Sequence, residues 1–196
     1  MATGRALAEA ALREPMRAIG WQLRAAGWFT RQITAGYLRA AALGSASWRS
    51  RPGTGQIMLH TGIRDEDTEQ VASQLCGLND QGYRQRTATA GIGYLLPGRS
   101  WCEWEITPCN AGELARQLAA HIQRYAEPYL HRLSSDHGEL LAAARSSGLC
   151  PVDRYLPGCV LLARPDTKGA TRRTHFSASG WTPSRSARWL HVPAAG

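Results

Sequence analysis

Lysine is nearly missing from this chain: Lys168 stands alone among 23 basic residues, and the rest are arginine. Set beside abundant Ala and Gly, that scarcity reads as the coding bias of a GC-rich genome rather than a surface selected for phosphate. No apolar run approaches the roughly 18 residues that span a bilayer, so a membrane partner is not expected. The opening MATGRALAEAALREP breaks its Ala and Leu with Glu9, Arg13 and Glu14, and so lacks the apolar core of a signal peptide. These two absences predict a cytoplasmic protein. No C-x-x-C spacing occurs among the five cysteines, Cys76, Cys102, Cys109, Cys150 and Cys159. An odd count without that spacing reads as free thiols in a reducing compartment, with neither a zinc nor a redox site.

Nucleotide and hydrolase signatures are also wanting. There is no P-loop, no dinucleotide-binding glycine pattern and no G-x-S-x-G elbow. Gly91 and Gly93 lack a third glycine and a following helix. Ser134, Ser135, Asp136 and His137 hold the residue types of a triad, but chain neighbours cannot assemble its geometry. His121, His131 and His137 miss the i, i+4 spacing of a helical zinc pair and read as surface or boundary residues. Asp65, Glu66 and Asp67 lack the glycine and distal Glu of an EF-hand loop; they suit the first turn of a helix, where negative charge meets the positive end of the backbone dipole. No cofactor and no metal is expected.

What is present divides the 196 residues into a body, 1–163, and a tail, 164–196. The tail carries +5 of the net +8 and is rich in Ser, Thr, Pro, Gly and Arg without apolar period. Such a segment cannot bury enough surface to offset its chain entropy, and it reads as a disordered basic tail. In the body, helix is expected over residues 5–26, interrupted at Pro15 and ended by Gly27. Strands follow at 28–34 and around 37–43. Ile57, Leu59, Thr61 and Ile63 alternate with Gln56, Met58, His60 and Gly62 in a half-buried strand. A short helix follows Asp65. Residues 83–89 read as extended, flanked by Arg84 and Arg86. Asn110 is expected to cap the longest helix, with Leu114, Leu118, Ile122, Tyr125 and Tyr129 as its apolar stripe and a kink or restart at Pro128. Ser135 caps another helix, and 152–163 is a last apolar element of one helix or two turns.

The stretch at 90–107, AGIGYLLPGRSWCEWEIT, reads as two strands joined by a Pro97-Gly98 turn. Period two gives the second strand an apolar face of Cys102, Trp104 and Ile106, and a wetter face of Trp101, Glu103 and Glu105. These residues also resemble a bacterial domain-of-unknown-function family, number 4304. In that family a strand ending Ile-Gly-x-Leu-Pro-Gly precedes a Trp-Trp-x-Ile strand. LRAAGWFTR and IMLHTGI are similar to its helix-to-strand turn and central strand. The resemblance spans roughly Met16 to Ala163 and departs where Cys102 and Glu103 separate Trp101 from Trp104. It implies a small α+β domain and assigns no catalytic residue.

The expected architecture is therefore α+β: an antiparallel sheet of about five strands backed by α-helices, with a helical C-terminal half. Parity places His60, Met58 and Gln56 on one strand face, and Trp101, Glu103 and Glu105 on another. These are the candidate binding residues. The first functional expectation is a non-enzymatic domain that binds an unidentified protein partner through its open sheet face or edge. The second is nucleic-acid association through the tail, where Arg172, Arg173, Arg185 and Arg188 alternate with Phe176, Trp181 and Trp189. The third is an enzyme using His60 with Glu103 or Glu105, because a carboxylate can orient a histidine base.

Overall fold

The structure is a computed structural model, and it describes residues 4–34, 36–45, 54–77, 82–146 and 156–163. The expected tail, with its arginines and tryptophans, lies outside the described residues, as do Trp48 and Cys150. Helix α1 (Gly4–Ala18) opens the chain, followed by strands β1 (Gln22–Arg24), β2 (Trp28–Thr34), β3 (Tyr37–Ser45) and β4 (Gly55–Asp65). After α2 (Glu66–Cys76) come β5 (Ala88–Gly91) and β6 (Trp104–Ile106). The rest is helical: α3 (Ala111–His121), a π turn (Ile122–Ala126), α4 (Glu127–Ser135), α5 (His137–Ser146) and α6 (Leu156–Ala163). The strands form one antiparallel sheet in the order β1-β2-β3-β4-β5, with β6 also on β4, which is the expected α+β class. Among the described residues no helix is long and apolar enough to cross a membrane.

Alternation decides which face meets the helices. Phe29, Ala41, Leu43, Ile57, Leu59 and Ile63 point inward and are buried with Leu12 and Met16 of α1, Leu118 of α3 and Leu130 of α4. Each such side chain contributes about 1.5–3 kcal/mol by leaving water. The apolar stripe of the long helix runs inward through Ile122, Ala126 and Leu130, while Tyr125 and Tyr129 stay half-buried at the boundary. The first turn of α1 crosses the start of β4 so closely that only glycines fit. A Cβ on Gly4 would sit 2.4 Å from the Cα of Gly55, and one on Gly55 would sit 2.5 Å from the Cα of Gly4.

Two polar networks tie the layers. Beneath the helices, Glu127 accepts from the Trp21 indole at 2.8 Å, from Arg31 at 3.0 Å, and from Arg39. Burial, and then the neighbouring Arg31 charge, push the Arg39 guanidinium below its usual value. At the other end of β4, Asp65, Thr68, Glu69 and Thr87 are fully buried. Thr68 donates to Asp65 at 2.6 Å, and Thr87 donates to Glu69 at 2.7 Å while accepting the Asp65 amide at 3.0 Å.

The structure corrects several expectations. Helix α1 runs through Pro15 but stops at Ala18, so Gly27 does not end it; Trp21 is buried and β1 has already begun. The 90–107 ribbon is not a hairpin. Leu96–Arg99 is a hydrogen-bonded turn with Pro97 and Gly98 at its centre, but β5 and β6 do not pair with each other. Both lie along the same edge of β4, and Ile92–Tyr94 coils into a 3-10 turn instead of extending. Residues 82–84 likewise form a 3-10 turn. Asn110 stands just before the long helix, as expected, but its side chain makes no cap bond to the first turn. Instead the Thr107 hydroxyl accepts the Asn110 amide at 3.2 Å, and the Asn110 side chain accepts the Thr107 amide at 2.8 Å, closing the turn that leads into the helix.

Candidate functional site: an aromatic hollow on the open sheet face

The face away from the helices carries Trp28, Ala42, His60 and Gly91 in one row, each hydrogen-bond-register partner of the next across four strands. The segment after Gly82 folds back over part of this face. Arg64 holds it there, donating to the Gly82 carbonyl at 3.0 Å and to both oxygens of Glu66 at 2.8 and 2.9 Å. Thr87 then fixes Arg86 so that its guanidinium lies 4.8 Å from the Trp28 ring, with Tyr83 edge-on to the same ring at 6.0 Å. This closes one end of the row.

The other end is open. On one edge, β4 pairs with β6 up to Ile57 and with β5 from His60, so Met58 and Leu59 fall in the gap between the two partners. A shallow surface depression, open to solvent, sits over that gap between Met58, His60, Gly91, Tyr94 and Trp101. Tyr94 lies on the sheet at Gly91 beside His60: a Cβ at Gly91 would make ordinary contact with the Tyr94 ring at 3.4 Å and with His60 Nδ1 at 3.9 Å. The His60 and Trp101 rings meet at 5.9 Å, tilted by 59°. Tyr94 and Trp101 are about half exposed, at 51% and 49%. The indole N–H of Trp101 donates to Glu103 at 3.0 Å. Burial, and after it the Arg86 charge, push His60 below its ordinary value, so its ring is neutral at pH 7.

Of the residues expected from sequence, His60 and Trp101 are brought together, and Glu103 joins them through Trp101. Glu105 shares the open face but stands opposite Gln56. That is four residues along β4 from His60, about 13 Å at the rise of a strand. His60 contacts the Trp101 ring rather than a carboxylate. Among the described residues no group of three His, Cys, Asp or Glu side chains is placed to hold a metal ion. Sequence reasoning placed Met58 on the same face as His60 but missed Tyr94 as their neighbour, and Arg86 with Trp28 as the wall of the site. The parity of Met58 with His60 was a usable signal; the position of Tyr94 depends on a 3-10 turn that alternation conceals.

No family model matches the chain, and no curated protein or solved structure is significantly similar to it. The reading of this site therefore stands on its own geometry.

Proposed function

We propose that this domain is a non-enzymatic protein-interaction module that binds a partner polypeptide through its open sheet face, where Tyr94 and Trp101 stand half-exposed. The half-exposed Tyr94 and Trp101 rings beside His60 carry the reading. Aromatics are the residue type that dominates binding energy at protein interfaces.

The test is selection of a displayed random-peptide library on the full chain, with the Tyr94→Ala/Trp101→Ala double variant in parallel. Peptides enriched on the native chain and lost on the variant support the reading. Equal enrichment on both overturns it. Association of nucleic acid with residues 164–196 is a separate proposal, supported by their charge. It is tested by oligonucleotide binding of the full chain against residues 1–163 at low and moderate salt, and equal behaviour of the two refutes it.

A further inference from the structure

Resting on that reading, we propose that the partner polypeptide carries an acidic stretch, whose carboxylates meet Arg24 and Arg84 in a basic patch at the Trp28 end of the open sheet face. Sheet pairing sets Arg24 directly opposite Trp28, so both side chains leave the sheet on the same side. Arg24 lies along that face, donating from Nε to the Thr30 hydroxyl at 3.0 Å and from Nη2 to the Gln22 side chain at 3.1 Å. Beside it, the Trp28 ring carries Arg86 at 4.8 Å and meets Tyr83 edge-on at 6.0 Å. The Tyr83 ring in turn carries Arg84 at 5.8 Å. Guanidinium groups from β1 and from the segment after Gly82 thus converge around two adjoining rings.

The partners the fold gives Arg24 and Arg84 are neutral: a hydroxyl and an amide oxygen for one, a ring face for the other. Such partners orient a guanidinium without cancelling its charge. Elsewhere the fold cancels it, pairing Arg5 with Glu9, Arg64 with Glu66 and Arg116 with Glu113. Arg24 and Arg84 are both exposed, so a carboxylate reaches them from solvent at the surface. A guanidinium held by stacking presents a flat fork that matches a carboxylate. The positive field extends inward: after burial, the Arg86 charge is what pushes His60 below its ordinary value. Glu105 favours a polypeptide over nucleic acid. It is exposed on the same face, beside Gln56, and repels a phosphodiester chain that runs on across the sheet. A polypeptide can set carboxylates at the Trp28 end and apolar side chains against Tyr94 and Trp101.

The experiment follows the Trp28 indole N–H resonance of the full chain, assigned by its loss in Trp28→Phe. This resonance is local to the patch, so binding at residues 164–196 registers elsewhere. The probes are N-acetyl-tetraglutamate amide, its tetraglutamine equivalent and an oligothymidylate of equal charge. Tetraglutamate is expected to move the resonance, less so as salt is raised, and tetraglutamine to bind about ten-fold more weakly. The exposed pair Arg24→Gln/Arg84→Gln should weaken tetraglutamate about ten-fold while leaving the circular dichroism of the fold unchanged. Equal shifts by tetraglutamate and tetraglutamine overturn the charge assignment. An undiminished response in the double arginine variant overturns the location. A stronger shift by oligothymidylate overturns the acidic polypeptide in favour of nucleic acid. No shift by any probe overturns the patch as a binding surface. The interaction reading stands through all four of these results while peptide enrichment is still lost on Tyr94→Ala/Trp101→Ala, and it falls only with equal enrichment there.

Discussion

The indole N–H of Trp21 reaches Glu127 at 2.8 Å across 106 residues of chain, joining the loop after α1 to the first turn of α4. The same carboxylate takes Arg31 and Arg39, so one side chain of α4 gathers the loop after α1 and strands β2 and β3. Arg39 is nearly buried, with 9% of its side chain exposed, whereas Arg31 is 41% exposed. The burial difference decides what each contact is worth. Removing the Glu127 charge strands a buried guanidinium, and Glu127→Gln should lose about 3 kcal/mol in urea unfolding. Arg31→Ala, acting on a solvent-screened pair, should lose less than about 1 kcal/mol. Equal losses for the two variants would show that burial does not set the strength of this cluster.

Glycine has opposite meanings at two places in the chain. Gly55→Ala would drive a methyl into the backbone of Gly4, and overpacking of this kind should cost about 1–3 kcal/mol. Gly158 lies within α6 with open space where its Cβ would go. Gly158→Ala should therefore gain up to about 1 kcal/mol from helix propensity. Thermal unfolding of the two variants checks both signs at once.

Acid should destabilise the domain through His60. Its folded value lies below the usual 6.5 because of burial first and Arg86 second. The unfolded chain therefore takes up the proton first as pH falls. Stability is fully present above the unfolded value, declines as pH drops from about 6.5 toward the folded value, and levels off below it. His121, also lowered by burial, adds a contribution of the same sign. His60→Gln should flatten the slope of unfolding free energy between pH 7 and 5; an unchanged slope would assign it elsewhere.

Thr107 is the residue to change if the turn that leads into the long helix is to be weakened. Its hydroxyl and the Asn110 side chain satisfy each other's backbone amides. Thr107→Ala should lose about 1 kcal/mol. Denaturant midpoints would show this, and a larger loss on Pro108→Ala would contradict the role given to these two bonds.

Strand β4 was legible because its residues alternate from Gln56 to Ile63 between a buried and a wetter face, and β2 and β3 lie where strands were expected. The helical C-terminal half was legible from its apolar period. The Pro97-Gly98 turn was read correctly in place but not in what it joins. Ile92, Tyr94 and Leu96 alternate by chance within a coil, and four- and three-residue strands carry too little pattern to reveal that both pair with β4. Pairing with a strand some 30 to 50 residues upstream is a tertiary fact that local propensity does not encode. The same holds for the site. Parity put Trp101, Glu103 and Glu105 on one face and His60 with Met58 on another, and the structure joins these faces into one open surface. Tyr94 and Arg86 entered it through segments whose course no period announces, and Trp28 through the sheet order, which places β2 two strands from β4. The Trp21–Glu127 contact was invisible for the simpler reason of its 106-residue separation.

The most direct test of the interaction reading is an amide and side-chain shift map of the full chain titrated with a peptide selected on it. The account predicts that the largest changes cluster at Met58, His60, Gly91, Tyr94 and Trp101, and that they vanish in the Tyr94→Ala/Trp101→Ala variant. Changes centred on the exposed faces of α3 and α4, with Trp101 unmoved, would contradict it.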